Sequence, residues 1–226
     1  MPKTTTGDYA IPKSLAVSIE NITLNNIATS SYYGSIIFSG ASELNITNCI
    51  FDSMYSSSSY YGIVNSNGIL NIKNSTFNNL TVTSWNLILG SKITIDNSSF
   101  TNCTAYRAVI SGVRELYNSQ IINCTSKSGS NWGIISTGAN AILENNTFIN
   151  NSAVGGVIFS NKANIINNTF IDNKISSRSI INANSNTNIA NSKFINNTGA
   201  MGGAIYANAL VNLTGNTFEN NLQSGY

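Results

Sequence analysis

The sequence repeats itself about every 24 residues, and that period limits the possible folds more than any other feature. An apolar anchor recurs at Leu24, Phe51, Phe77, Phe100, Ile121, Phe148, Phe170, Phe194 and Phe218. Successive anchors lie 21 to 27 residues apart. Five residues before each anchor sits an aliphatic residue, from Ile19 to Leu213. Three before sits Asn21, Asn48, Asn74, Asn97, Asn118, Asn145, Asn167 and Asn191, with Gly215 in the ninth repeat. Two after runs a second column, mostly Asn, from Asn26 to Asn220. Around the anchors the apolar residues recur at every second position, the period of a strand. Each anchor but the last is followed by a second apolar segment, from SIIFSG (35–40) to GAIYAN (203–208).

Short strands at this period, with no helical pattern, predict an all-β fold: a right-handed parallel β-helix of about nine coils. An antiparallel sandwich needs a turn every 8–12 residues and gives no 24-residue column. In a β-helix, equivalent residues stack about 4.8 Å apart, so each column becomes a ladder. The Asn column that runs from Asn21 to Asn191 reads as a structural ladder at a buried turn, its amides bonded to one another along the stack.

Composition narrows the function. Only 9% of residues are charged, the net charge is +2 and there is no His. A His-based triad or His metal site is excluded, and nothing favours nucleic acid electrostatically. No stretch of 18 apolar residues is present, so no transmembrane segment is expected. Cys49, Cys103 and Cys124 are an odd number and read as buried free thiols, not a disulfide scaffold or a four-cysteine zinc site. No cofactor and no metal are expected. No apolar leader follows Met1. Residues 1–14 read as a lead-in, residues 15–226 as a single β-helix domain, and the whole as part of a longer surface protein.

Acids are scattered. Asp96 and Glu144 fall on one column two rungs apart, about 9.6 Å by the strand spacing, near the separation of an inverting glycosidase pair. Tyr117 stands between them and no third acid or Arg joins, so they read as solvated surface acids. Twelve Asn-x-Ser/Thr sequons occur, several of them on the Asn ladders, where a buried side chain could not be modified.

The second segments hold the candidate contact face. Aligned on Ile37, Val64, Ile88, Ile110, Ile135, Ile158, Ile181 and Ile205, they place that column inward between small residues. Strand alternation then turns Ile36, Ile63, Leu87, Val109, Ile134, Val157, Ile180 and Ala204 outward, an apolar stripe larger than monomers usually expose. Tyr61, Trp85, Arg107, Trp132 and Arg178 flank it, the residue types of binding hot spots. Three readings stay open. The stripe contacts a partner, another part of the parent chain or the loop 54–59 covers it, or the two faces are reversed.

Phe148–Asn151, Phe170–Asn173, Phe194–Asn197 and Phe218–Asn221 match Phe-x-x-Asn, and Gly155–Ile158 and Gly202–Ile205 match or approach Gly-Gly-Ala-Ile. These paired motifs resemble the polymorphic outer-membrane adhesins of chlamydiae. The Asn- and Ile-rich style is similar to the adhesin-like β-helix repeat proteins of methanogenic archaea, from about residue 15 to the end. The earlier coils depart from the pattern: Phe51, Phe77 and Phe100 lack the Asn three positions on. The resemblance implies an extracellular, cell-surface, non-enzymatic module that attaches to a protein or glycan of a host or neighbouring cell. A carbohydrate-active β-helix and a purely structural stalk are the alternatives.

Cys103 and Cys124 share a column in adjacent coils, where in-register side chains run parallel and not toward each other. Thiol titration under denaturing, non-reducing conditions is expected to find three thiols; a count of one would mean that the stacked pair is bridged.

Overall fold

A computed structural model describes residues 15–129 and 131–225; the lead-in expected over 1–14 lies outside them. The chain winds as a parallel β-helix of nine coils, and the anchors sit where the repeat places them. The strand Thr147–Ile149 pairs in parallel with Thr169–Ile171, which pairs with Lys193–Ile195, which pairs with Thr217–Glu219. Phe148, Phe170, Phe194 and Phe218 therefore face one another across the coils. Their rings stack at 4.8, 4.8 and 5.0 Å with planes within 8° of parallel. Phe51, Phe77 and Phe100 form a second stack at 4.6 and 4.7 Å. Ile121 occupies the rung between the two stacks, in register with Phe100 and Phe148. Phe51 to Phe194 are fully buried along this column, and each such side chain contributes about 1.5–3 kcal/mol.

The corners explain the Asn columns, and not in the way the sequence suggests. Asn21, Asn48, Asn74, Asn97, Asn118, Asn145, Asn167 and Asn191 all have left-handed backbone, with φ between 45° and 58°. Gly215 continues the column at 63°. The second column is left-handed too, from Asn26 through Ser53 and Asp172 to Asn220, with φ of 50–55°. Left-handed backbone costs most residues about 1–2 kcal/mol, and Asn, Asp and Gly adopt it most readily. The side chains of the first column point to solvent, which corrects the expectation of a buried ladder. Several still bond along the stack: Asn48 Nδ2 donates to Asn21 Oδ1 at 3.1 Å, Asn74 to Asn48 at 3.2 Å, Asn97 to Asn74 at 3.0 Å.

The buried ladders lie one residue further along, at Asn146 and Asn168 after the first corner and at Asn151, Asn173 and Asn197 after the second. There each backbone N–H points toward the next coil and is met by a side-chain oxygen. Asn146 N–H donates to Asn168 Oδ1 at 2.9 Å, and Asn168 N–H to Ser192 Oγ at 3.1 Å. Going back along the chain, the same position is filled by Ser119, Ser98 and Ser75, which cap Ser98, Ser75 and Cys49. After the second corner Cys124, Asn151 and Asn173 N–H donate to the Oδ1 atoms of Asn151, Asn173 and Asn197. Each Asn also donates Nδ2 to a carbonyl of the preceding coil, as Asn173 does to Phe148 O at 2.9 Å. The Asn of each Phe-x-x-Asn motif is thus an internal clamp between coils.

The second segments overturn the face assignment. Ile63 and Val64, Leu87 and Ile88, Val109 and Ile110, Ile134 and Ile135, Val157 and Ile158, and Ile180 and Ile181 are all fully buried. The strands start at the second residue of each pair, as in Val64–Lys73 and Ile135–Glu144. The first residue sits in a bend, so strand alternation does not carry across it, and both side chains enter the core. No outward apolar stripe forms from these pairs. Before the pair Ile63–Val64 a glycine is required because backbones nearly touch: a Cβ on Gly62 would lie 2.1 Å from Asn86 O.

Cys49, Cys103 and Cys124 are buried free thiols, and burial pushes the Cys103 thiol well up, with Cys124 adding to the effect.

Neighbouring Asn residues give a direct test. Asn168→Ala leaves Asn146 N–H without its acceptor and Leu143 O without its donor, at about 1–3 kcal/mol each. Asn167→Gly keeps the left-handed corner and is expected to cost only a few tenths, whereas Asn167→Ala costs about 1 kcal/mol. Denaturant unfolding checks the order; equal losses for Asn168→Ala and Asn167→Gly would contradict the assignment of the buried ladder.

Candidate recognition surface

Coil length decides where the surface is built. The steps Leu24 to Phe51, Phe51 to Phe77 and Ile121 to Phe148 are 27, 26 and 27 residues, against 21–24 elsewhere. In the first two, the extra residues form loops between the short strand that follows the second corner and the aliphatic pair. The first runs from Ala28–Thr29 to Ile37–Ser39 and the second from Ile50–Ser56 to Val64–Lys73. Both carry the sequence Ser-Ser-Tyr-Tyr-Gly, at 30–34 and 58–62.

Buried serines lock the two loops together. Ser58 Oγ donates to Tyr32 O at 3.0 Å and accepts from Tyr61 N–H at 3.3 Å. Ser56 Oγ donates to Tyr61 O and accepts from Ser58 N–H. Ser35 Oγ donates to Gly62 O at 3.0 Å. Ser56 and Ser58 are fully buried, so these bonds are shielded from competing water.

The tyrosines they carry form one aromatic cluster. Tyr33 stacks on Tyr60 at 5.3 Å; Tyr32 meets Tyr33 edge-on at 4.8 Å and Tyr60 at 5.0 Å. Tyr61 joins Tyr33 at 6.4 Å and Phe38 at 5.4 Å. Tyr33 is 65% exposed and Tyr60 42%, with Tyr32 and Phe38 between them in exposure. Tyr32 OH donates to Tyr60 OH at 3.2 Å, and that bond raises the Tyr32 phenol above its ordinary range.

Tyr60 continues the cluster to Trp85 at 6.1 Å. The Arg107 guanidinium lies 3.7 Å from the Trp85 ring and 5.3 Å from Trp132, between the two. Its backbone is fixed on both sides: Arg107 N–H donates to Trp85 O, and Ser126 Oγ donates to Arg107 O. Trp85 Nε1 is buried without a hydrogen-bond partner. Trp85, Arg107 and Trp132 are half-buried and occupied with one another, so they buttress the exposed tyrosines.

Of the five flanking residues singled out in the sequence, the structure brings Tyr61, Trp85, Arg107 and Trp132 into one aromatic and cationic run. Arg178 stands apart, 4.7 Å from the Tyr206 ring and 3.6 Å from Met201 Sδ. Gly155 holds the intervening rung and offers no side chain. Tyr32, Tyr33 and Tyr60 escaped the column alignment because they lie in insertions outside the repeat; the paired Ser-Ser-Tyr-Tyr-Gly was the signal for them.

On another face, Tyr117 pairs in register with Asp96 and Glu144. Burial first, then Glu115, Glu144 and Asp96, raise its phenol. Asn118 Nδ2 donates to Asp96 Oδ1 at 2.9 Å. Tyr117 stands on the rung between the two acids, as the column alignment indicates.

Arg107→Gln removes the guanidinium from both tryptophans, which are the chain's only two. It is expected to change tryptophan emission and lower stability by about 1 kcal/mol. Arg178→Gln should leave the emission as it is; an unchanged spectrum for Arg107→Gln would break the stack.

No curated protein matches the chain. A family model described as the right handed beta helix region matches residues 34–194, well over half of the sequence. That span holds the second loop's Tyr60 and Tyr61, the Trp–Arg–Trp stack and six of the anchor phenylalanines, and the chain belongs to the right-handed β-helix family.

Proposed function

We propose that the chain is a non-enzymatic recognition module of the adhesin-like kind, attaching to components of another cell's surface through its tyrosine loops. The observation that carries this reading is the cluster itself. Two adjacent coils present identical Ser-Ser-Tyr-Tyr-Gly loops, cross-braced by buried serines, with their rings turned to solvent. Tyr, Ser and Gly are the residues of antibody binding loops, where Tyr supplies large contact area at small entropic cost. A braced loop loses little further freedom on binding, which favours affinity.

The arrangement supports binding better than catalysis. Catalysis by paired carboxylates needs both acids open to one bond, whereas Tyr117 separates Asp96 from Glu144. Attachment at a surface also suits a rigid solenoid, which holds its loops at a fixed spacing. On this reading the module acts outside the cell, as the resemblance to surface repeat proteins implies.

Beads coated with the chain are to be compared with beads carrying Tyr33→Ala with Tyr60→Ala, for retention on a panel of intact microbial and epithelial cells. The parent should be retained on at least one cell type and the double variant at least tenfold less. Equal retention of both, or none of the parent, would remove the reading and leave a structural stalk.

A further inference from the structure

The ring cluster also specifies the chemistry of what it meets. We infer that its ligand is an uncharged, linear glycan lying along the helix axis across the tyrosine loops. This rests on the recognition reading above and narrows it.

Charge comes first. The residues joined by the ring contacts are Tyr32, Tyr33, Phe38, Tyr60, Tyr61 and Trp85, all uncharged at neutral pH. Arg107, the cation in ring contact with Trp85, is packed against Trp85 and Trp132 and half-buried. An anionic chain would find no free cation within this cluster, and a nucleic acid no phosphate contacts of the kind that dominate its affinity.

The backbone decides against an extended peptide. Peptides that bind β-proteins by strand addition need unpaired N–H and C=O groups. At these loops the strands spend theirs between coils: Tyr55 N–H donates to Ile27 O, Ser57 to Thr29 O, Ile37 to Ile63 O and Ile63 to Leu87 O.

Ring faces and hydroxyls remain. A sugar ring has an apolar C–H face and a polar rim, which suits phenol rings carrying hydroxyls at their edges. Tyr33 is the most exposed of these rings, and Tyr32 OH and Tyr60 OH meet at the cluster's rim.

Geometry sets the length. Tyr33 and Tyr60 come from adjacent coils, and Trp85, in contact with Tyr60, from the next, a run of about 10 Å at the strand spacing. That length fits linked rings in a row better than one.

The test uses the whole chain and four probes: β-1,4-linked glucose oligomers, β-1,4-linked N-acetylglucosamine oligomers, β-1,3-linked glucose oligomers, and polygalacturonate as the anionic control. At least one neutral series should bind, more tightly as the oligomer lengthens and equally at low and high salt. Tyr33→Ala with Tyr60→Ala should weaken it at least tenfold without changing the melting temperature by more than a few degrees, while Tyr33→Phe should bind within a few-fold of the parent. Salt-sensitive binding of polygalacturonate, or no binding of any neutral series, overturns the inference. Cell retention that depends on Tyr33 and Tyr60 but is not competed by the neutral oligomers also overturns it, yet leaves the recognition reading in place. Retention indifferent to both tyrosines removes the two together.

Discussion

Each coil turns two sharp corners through left-handed residues, and from Cys49 onward at the first corner and Cys124 onward at the second, the N–H after the corner lies outside the strand ladders and turns to the next coil. The rest of the structure follows from how that group is met. A buried donor without a partner costs about 1–3 kcal/mol, and successive coils repeat the problem. The chain answers it with Ser Oγ or Asn Oδ1 from the next coil, as in the runs Cys49–Ser75–Ser98–Ser119–Asn146–Asn168–Ser192 and Cys124–Asn151–Asn173–Asn197. The bonds run along the axis, so they fix the coils' register while the phenylalanine stacks fill the space between.

Much of this is legible in the sequence because a solenoid prints its geometry as a period. The anchors Phe148, Phe170, Phe194 and Phe218 are read directly, since a stacked column needs one side-chain shape on each rung. The Asn column is equally visible, but its cause is not. An Asn chosen for left-handed backbone and an Asn chosen for a buried ladder look the same, and only the structure separates exposed Asn167 from buried Asn168. The same columns account for most sequons. Asn145 and Asn167 stand at a corner, and Thr147 and Thr169 stand outward two residues on because a strand restarts there. Their side chains are exposed, contrary to the expectation that they are buried.

The errors concentrate where periodicity breaks. Strand alternation assigns Ile63 and Val64 to opposite faces, but the bend between them turns both inward. Insertions carry no column, so Tyr32, Tyr33 and Tyr60 could not be placed against the repeat, although the duplicated loop sequence marked them. Trp85 and Trp132 were legible as neighbours of the site. That they are spent on Arg107 required the distances. The regular coils thus supply stiffness, and the departures from regularity supply the surface that distinguishes this chain from a bare stack.

The axial clamp is tested most directly by amide hydrogen exchange read residue by residue. In the parent, the N–H groups of Asn146 and Asn151 should exchange as slowly as that of Phe148, although neither takes part in a strand ladder. In Asn173→Ala, the Asn151 amide should lose its acceptor and exchange much faster, while the Asn146 amide, held by Asn168, keeps its protection. Rapid exchange of Asn151 in the parent, or an Asn151 amide indifferent to the loss of Asn173, would contradict the account.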